Sequence, residues 1–214
     1  VLFLMVITTT PTPVLTQGLN LEQFLSLHGD NDRLELIDGE VVDLEPTGSH
    51  EQVAALLSRK VNVAIDRLAL PYFIPHRCLI QTFSIGTALR PDVVVLDESK
   101  LEKEPLWRQE PVITLGETVQ LVAEVVSSNW QNDYARKFEE YEALGVPEYW
   151  IVDYRGLGGK YYIGLPKQPT VTRCCLRGES YERLLLRRGD VLISEVIPGL
   201  KLPVDALFAY GEKG

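Results

Sequence analysis

Five residues in the middle of the chain have the types and spacing for hydrolytic chemistry with a divalent cation: Asp92, Glu124, Asp133, Lys137 and Tyr141. Glu124 stands out first, because it interrupts the apolar run Val119-Gln-Leu-Val-Ala-Glu-Val-Val126. Such a run predicts a strand buried on both faces of a sheet. An ionised glutamate there loses its hydration, which costs several kcal/mol unless a cation or strong donors compensate. Asp92 opens a second apolar run, Asp92-Val-Val-Val-Leu96, so two carboxylates can meet on neighbouring strands. Hard oxygen donors of this kind suit Mg²⁺ or Mn²⁺. Asp133, Lys137 and Tyr141 recur every four residues and lie along one side of a helix. A nearby ammonium can orient a water nucleophile or steady the charge that develops on a phosphate.

Each of these residues also has a purely structural reading. Glu124 could pair with an arginine or with backbone amides, and Asp92 could simply start a strand after Pro91. Lys137 could form a helical ion pair with Asp133, worth only about 0.3–0.5 kcal/mol. Tyr141 shares an apolar face with Tyr134 and Phe138, which fits core packing equally well. Asp133 reads as a helix N-terminal or lysine-positioning residue rather than a ligand. Two accessory candidates lie upstream: Glu40, on a hairpin that could approach the metal, and His50, at a helix start. Tyr149 and Trp150 alternate with apolar neighbours and suggest core or interface. Arg173, Arg177, Arg183, Arg187 and Arg188 are diluted by Glu179, Glu182 and Asp190, which predicts a solvated hairpin face.

The elements that must position these groups can be read from pattern. Asn20 to His28 predicts a short helix stopped by Gly29. Arg33–Ile37 and Glu40–Leu44 flank Asp38-Gly39 and predict a tight β-hairpin. Ser49 and Gln52 match a capping box. Behind them Val53, Leu57, Val61, Ala64 and Leu68 keep helical spacing, so 50–68 is an amphipathic helix. Strands are expected at 72–75, 79–85 and 92–96, and residues 97–117 form a charged surface excursion broken by Pro105 and Pro111. The Glu124 strand follows, then a helix over 131–144 and a strand over 147–153. After Gly156-Leu-Gly-Gly159 come short strands and turns, ending in a small helix near 204–209. This order predicts a mixed-sheet α/β (α+β) layout rather than a repeating βαβ series.

A chain of 214 residues with 45% hydrophobic residues is long and apolar enough to bury a substantial core. We expect one domain over 20–210, with its core at about 49–153 and a β-hairpin extension at about 160–200. Residues 1–19 would be a flexible lead-in and 211–214 a tail. A formal net charge of −9 argues against non-specific coating of nucleic acid. Cys78, Cys174 and Cys175 match no ligand or disulfide pattern, which predicts free thiols in a reducing cytoplasm. The apolar Val1–Ile7 is too short to span a bilayer and lacks the flanks of a signal peptide, so no membrane association is expected. No glycine-rich phosphate loop appears.

Taken in order, Glu35-Leu-Ile-Asp-Gly-Glu40, His50, Arg90-Pro-Asp92, Glu124-Val-Val-Ser127, Asp133 with Lys137 and Tyr141, and Gly145-Val-Pro-Glu-Tyr-Trp-Ile-Val-Asp153 form a specific set. This set resembles the Uma2 family of restriction-endonuclease-like proteins, within the PD-(D/E)xK nuclease superfamily, over roughly residues 20–210. The resemblance implies a restriction-endonuclease-like αβββαβ core with flanking β-hairpins, and phosphodiester hydrolysis with Mg²⁺ (or Mn²⁺). Asp92 would be the aspartate of the PD motif and Glu124 the acid of the (D/E)xK motif. The backbone carbonyl of Val125 would complete the coordination shell. The chain departs from the pattern at Val126, where the superfamily has lysine; Lys137 would take over that role from the following helix. A second departure, Ser127-Ser-Asn129, lacks the family's proline after the serine.

Two functions from different classes follow. The leading one is a Mg²⁺-dependent endonuclease acting on nucleic acid, with DNA the first substrate to try. The other is a catalytically inactive nuclease-like binding or assembly module, motivated by the acidic charge and the displaced lysine. A glycosidase using Asp92 and Glu124 as an acid–base pair fits poorly, because such sites sit in open aromatic clefts. A homodimer would suit cleavage of two strands, with Tyr149-Trp150 and the C-terminal hairpins as candidate surfaces.

Overall fold

Two sheets of unequal size meet around one apolar layer, and the candidate residues lie at the edge of that layer. The computed structural model describes residues 18–44 and 46–210. The expected lead-in up to residue 17 and the tail 211–214 fall outside the described residues. Helix α1 (Leu21–His28) is capped by Asn20 and Gln23, which bond each other's backbone N–H groups. It leads to the hairpin β1 (Leu34–Ile37) and β2 (Glu40–Asp43). Asp38 and Gly39 take positive φ at its turn, as an Asp-Gly hairpin requires. Gly39 must also be glycine because Gly18 packs against it, and a Cβ would stand 2.7 Å from the Gly18 Cα.

Helix α2 (Gly48–Leu68) starts two residues earlier than its apolar periodicity suggests. Its cap is Thr47, whose Oγ1 accepts from His50 N; Ser49 is not the cap, because its hydroxyl turns to the Tyr154 hydroxyl at 3.0 Å. Short strands follow: β3 (Tyr72–Phe73), β4 (Leu79–Gln81) and β5 (Ala88–Leu89). The expected strand over 79–85 ends at Gln81 because the chain turns there, with Thr82 N bonded to Thr87 O and Gly86 in the left-handed region. Next come β6 (Val93–Asp97), a 3₁₀ turn at Glu98–Lys103, β7 (Val112–Ile113) and β8 (Val119–Val125). A wide π-type turn at Asn132–Arg136 opens into α3 (Lys137–Leu144), which Gly145 ends in the left-handed conformation. The chain closes with β9 (Glu148–Asp153), α4 (Lys160–Ile163), β10 (Thr170–Arg177), β11 (Ser180–Leu186), β12 (Val191–Ile193), β13 (Lys201–Pro203) and α5 (Asp205–Phe208).

The large sheet runs β11-β10-β9-β8-β6-β3, and β8 and β9 are its parallel pair. The small sheet runs β2-β1-β5-β4-β7. Odd-numbered residues of β6 and β8, such as Val93, Val95, Leu121 and Ala123, pack with Val53, Leu57 and Val61 of α2. Even-numbered ones, Val94, Leu96 and Val122, face the opposite way, onto Tyr141 of α3 and Ile80, Leu89 and Ile113 of the small sheet. The far face of the small sheet, with Leu36, Leu79 and Ala88, is covered by Phe24 of α1. This is a mixed α/β arrangement of the expected class, in layers of helix, small sheet, large sheet and helix.

The strand face decides the fate of Tyr149 and Trp150. Both are fully buried, one in each core, so neither offers a surface for self-association. The C-terminal hairpins do expose Leu184, Leu185, Val191 and Ile193. No helix among the described residues is long and apolar enough to cross a membrane. All three cysteines are unpaired and buried.

Candidate active site

Register brings the two central carboxylates together. Val93 pairs with Ala123 across the antiparallel β6–β8 ladder, so Asp92 and Glu124 lie opposite each other one step beyond that pair. Directly opposed residues project to the same face. Asp92 Oδ2 accepts from Val125 N at 2.6 Å and lies 3.2 Å from His50 Nε2, which reaches in from the first turn of α2. Glu124 is 2% exposed, and its Oε1 accepts from the Tyr141 hydroxyl at 2.8 Å.

Lys137 is the hub. Its Nζ stands 3.1 Å from Glu124 Oε1, 3.5 Å from Glu35 Oε2 and 3.8 Å from Asp133 Oδ1, and the residue is 4% exposed. Val126, which stands at the position where the superfamily has lysine, is packed in the apolar core. The wide turn before α3, a feature often found at functional sites, carries Asp133 and leads directly into Lys137. Tyr149 helps to fix that turn by donating to the Asp133 carbonyl at 2.9 Å.

Glu35 joins the cluster although its role was not anticipated. It is 1% exposed, and its Oε2 also accepts from Arg90 N at 3.1 Å. Strand alternation in Leu34-Glu-Leu-Ile37 would send Glu35 to solvent. Because the small sheet is covered on both faces, its outward side is the interlayer containing Lys137. Glu40 has the opposite outcome: it is exposed on the edge strand β2, does not line the central cavity and is not brought into the site. A further unanticipated residue, Arg136, pairs with Asp38 at the hairpin turn and with Glu140 at 3.1 Å. It ties the hairpin carrying Glu35 to the helix carrying Lys137.

Charge is unbalanced in this cluster. Burial pushes the Glu124 carboxyl well above the usual carboxylate range; Lys137 opposes this, while Asp92, Asp133 and Glu35 push it further. Asp133 rises to about 7, chiefly through burial, against the pull of Lys137. For Lys137, burial would favour the neutral amine, but Glu124, Glu35, Asp133 and Asp92 together outweigh it and keep the ammonium charged. Burial likewise opposes protonation of His50, yet the hydrogen bond and charge of Asp92, with the Val125 backbone and Glu51, lift it to about 9. One ammonium thus faces three carboxylates within 4 Å, and burial, reinforced by the surplus negative charge, holds the Asp133 proton into the neutral range.

These residues line a cavity of about 340 Å³ that also meets Asp32, Arg33, Asp43, Arg77 and Arg90. The donor set fits a hard divalent cation. Lys137 and Tyr141 engage Glu124 through Oε1, and Val125 N and His50 engage Asp92 through Oδ2, so the second oxygen of each carboxylate is the one that would hold a cation. No group of three or more His, Cys, Asp or Glu among the described residues is arranged to hold a metal. A two-carboxylate site is still sufficient for Mg²⁺, which usually keeps several waters and binds substrate phosphate directly.

The remaining sequence candidates have structural partners. Arg177 pairs with Glu182 and Glu195, Arg173 with Glu195, Arg188 with Asp205, Arg187 donates to the Ile163 carbonyl, and Arg183 lies over the Phe138 ring.

Comparison with known proteins adds an independent line. Residues 21–205 match the family Uma2, described as "Putative restriction endonuclease". A crystal structure from Anabaena variabilis ATCC 29413, described as a putative nuclease belonging to DUF820, superposes with a TM-score of 0.66 at 16% identity, covering 90% of this chain and 98% of that one. At that identity the likeness speaks for the fold. No curated protein matches the chain.

Proposed function

The chain belongs to the Uma2 family, and from that premise and its buried lysine–carboxylate cluster we propose that it is a metal-dependent nuclease. The observation that carries this reading is Lys137, a charged and nearly buried ammonium set among Glu124, Glu35 and Asp133 beside Asp92. An ion cluster with surplus carboxylates is a poor device for stability, since similar volumes of apolar side chain would serve as well or better.

Asp92 and Glu124 would hold Mg²⁺ or Mn²⁺, with the Val125 carbonyl a third donor. When bound, the cation supplies Lewis-acid polarisation of the phosphate and a bound water of lowered pKa. The chain's own groups do the rest. Lys137 is oriented by Glu35 and Asp133 so that its ammonium meets negative charge developing on the phosphate. Tyr141 fixes the Glu124 carboxylate in one rotamer through Oε1. His50 fixes Asp92 and carries a positive charge beside it at neutral pH. The buried walls keep bulk water away from these charges, which strengthens each interaction.

The test is cleavage of labelled DNA and RNA, single-stranded and duplex, with Mg²⁺, Mn²⁺ or EDTA. We expect metal-stimulated cleavage that Asp92→Ala, Glu124→Ala and Lys137→Ala each reduce by about 10²-fold or more. Activity that survives all three substitutions belongs to a contaminant. The inactive-module reading draws on the direct contact of Lys137 with Glu124. Calorimetric titration showing no Mn²⁺ or Mg²⁺ binding would favour it.

A further inference from the structure

Resting on the nuclease reading above, we propose that the site takes a single strand of nucleic acid threaded between Arg77 and Arg155, rather than an intact duplex. Depth is the first observation. Glu124, Lys137 and Glu35 are 2%, 4% and 1% exposed at the base of a cavity of about 340 Å³. That size is near the lower end of pockets that enclose one small molecule, roughly 300–1,000 Å³. The phosphate to be cut must therefore enter the cavity with little more than its own nucleotide. An extended single strand can bend its backbone inward to do so. A duplex is stiff over roughly 150 base pairs and carries its stacked bases immediately behind each phosphate.

The second observation is that the cavity continues. A smaller depression of about 150 Å³ shares Asp43, Leu44, His50, Ser127 and Asn129 with it, and is lined further by Tyr154 and Arg155. The shared lining makes the two continuous as one groove, with Asp43 of β2 and the following Leu44 lining both parts. Exposed Arg77 lines the larger part and exposed Arg155 the smaller. Neither forms an ion pair among the described residues, unlike Arg173, Arg177 and Arg188 of the C-terminal region. His76, exposed beside Arg77, offers a ring on which an unstacked base can rest. A narrow groove with an unpaired cation in each part and a stacking ring is the chemistry that follows one backbone.

Charge points the same way. A chain of net charge −9 is repelled most by the polyanion of higher charge density, and duplex DNA carries one negative charge per about 1.7 Å of axis. Arg77 and Arg155 offer cations to a short stretch of single strand, while a duplex brings twice the backbone charge up to a chain of net charge −9.

The test uses the full chain carrying Glu124→Gln, so that binding is read without cleavage. Fluorescence anisotropy with Mg²⁺ compares a twelve-nucleotide single strand, as DNA and as RNA, with a hairpin duplex containing the same sequence. We expect the single strand to bind about tenfold tighter or better. Arg77→Glu and Arg155→Glu, added singly, should each weaken it about fivefold and lower the salt slope by about one. Their unchanged melting temperature would show that folding is intact. Duplex binding as tight as single-strand binding, or single-strand binding indifferent to both charge reversals, overturns the proposal and leaves the nuclease reading standing. Failure to bind any of these probes overturns both.

Discussion

Glu124 and Glu148 are both buried glutamates on adjacent strands of the large sheet, yet their surroundings differ in kind. Glu148 is fully buried and saturated by neutral donors: Trp150 Nε1 at 2.7 Å on Oε1, and Ser194 Oγ, Glu195 N and Val196 N at 2.8, 2.9 and 3.1 Å on Oε2. Those donors anchor the β12–β13 extension to the sheet. Glu124 accepts from one hydroxyl, contacts one shared ammonium, and has three other carboxylates in its field. Burial of an acid therefore does not by itself mark a functional group. The mark is burial combined with unmatched charge, which is costly to maintain and is relieved when a cation enters.

The largest expected effects are a crossing of phenotypes between these two residues. Glu124→Gln should reduce cleavage by about 10²-fold or more while leaving the melting temperature unchanged or raised, because it removes a charge that burial disfavours. Glu148→Gln should leave cleavage within about twofold but destabilise the fold by about 1–3 kcal/mol. Whichever way the amide turns, its NH₂ confronts a donor. Denaturant unfolding and cleavage rates on both variants decide the matter. Equal losses of activity would erase the distinction.

The pH dependence of stability extends the comparison to Asp133. Its carboxyl is raised from 3.8 to about 7, so between those values the folded protein binds more protons than the unfolded chain. Stability must then fall as pH rises across this window and level off above it. In Asp133→Asn that fall should be absent, giving a flatter curve of unfolding free energy from about pH 4 to pH 7. A wild-type curve indistinguishable from that of the variant would show that Asp133 is compensated like Glu148.

What the sequence made legible and what it hid follow from the same physics. The Asp38-Gly39 turn, α2, β8 and β9 were readable because turn chemistry and apolar spacing are local. Asp92 and Glu124 could be paired because each sits in an apolar run, and Lys137 because of its helical spacing. Of the small sheet, the hairpin and β4 were readable but β5 and β7 were not: they have two residues each, too few to show a period. Glu35 had no role assigned for a related reason, since alternation cannot say that a second layer covers the polar side of a strand. Glu148 is as anomalous in sequence as Glu124, but three of its four donors lie 46 to 48 residues away at Ser194–Val196. Only the assembled fold separates the two.

His50 provides a sharper measure of the unmatched charge, because its protonation reports on Asp92. In the metal-free protein it should titrate near 9 by NMR, contributing stability that is complete below about pH 6.5 and lost as pH rises through about 9. Removing the charge in Asp92→Asn leaves burial as the largest influence, so the imidazole should drop by roughly one unit or more. An unmoved titration would mean that the Val125 backbone and Glu51, not Asp92, hold the proton.

The smallest effect is expected at Arg136, where the comparison becomes one of position rather than charge. Its guanidinium is 30% exposed in side-chain terms and bridges Asp38 to Glu140, with Thr87 Oγ1 at 3.4 Å. Partial exposure screens these pairs, so Arg136→Ala should cost about 1 kcal/mol or less in unfolding free energy. Its neighbour in sequence is Lys137, and its partner Asp38 ends the strand that carries Glu35. Loosening that bridge lets the hairpin and α3 shift independently, which should blur the lysine's position without removing any group from the cavity. Cleavage should fall about two- to fivefold, with Arg136→Lys restoring part of the loss through the Glu140 pair alone. A loss as large as that of Lys137→Ala would make Arg136 part of the site itself, and no loss at all would confine its role to the hairpin.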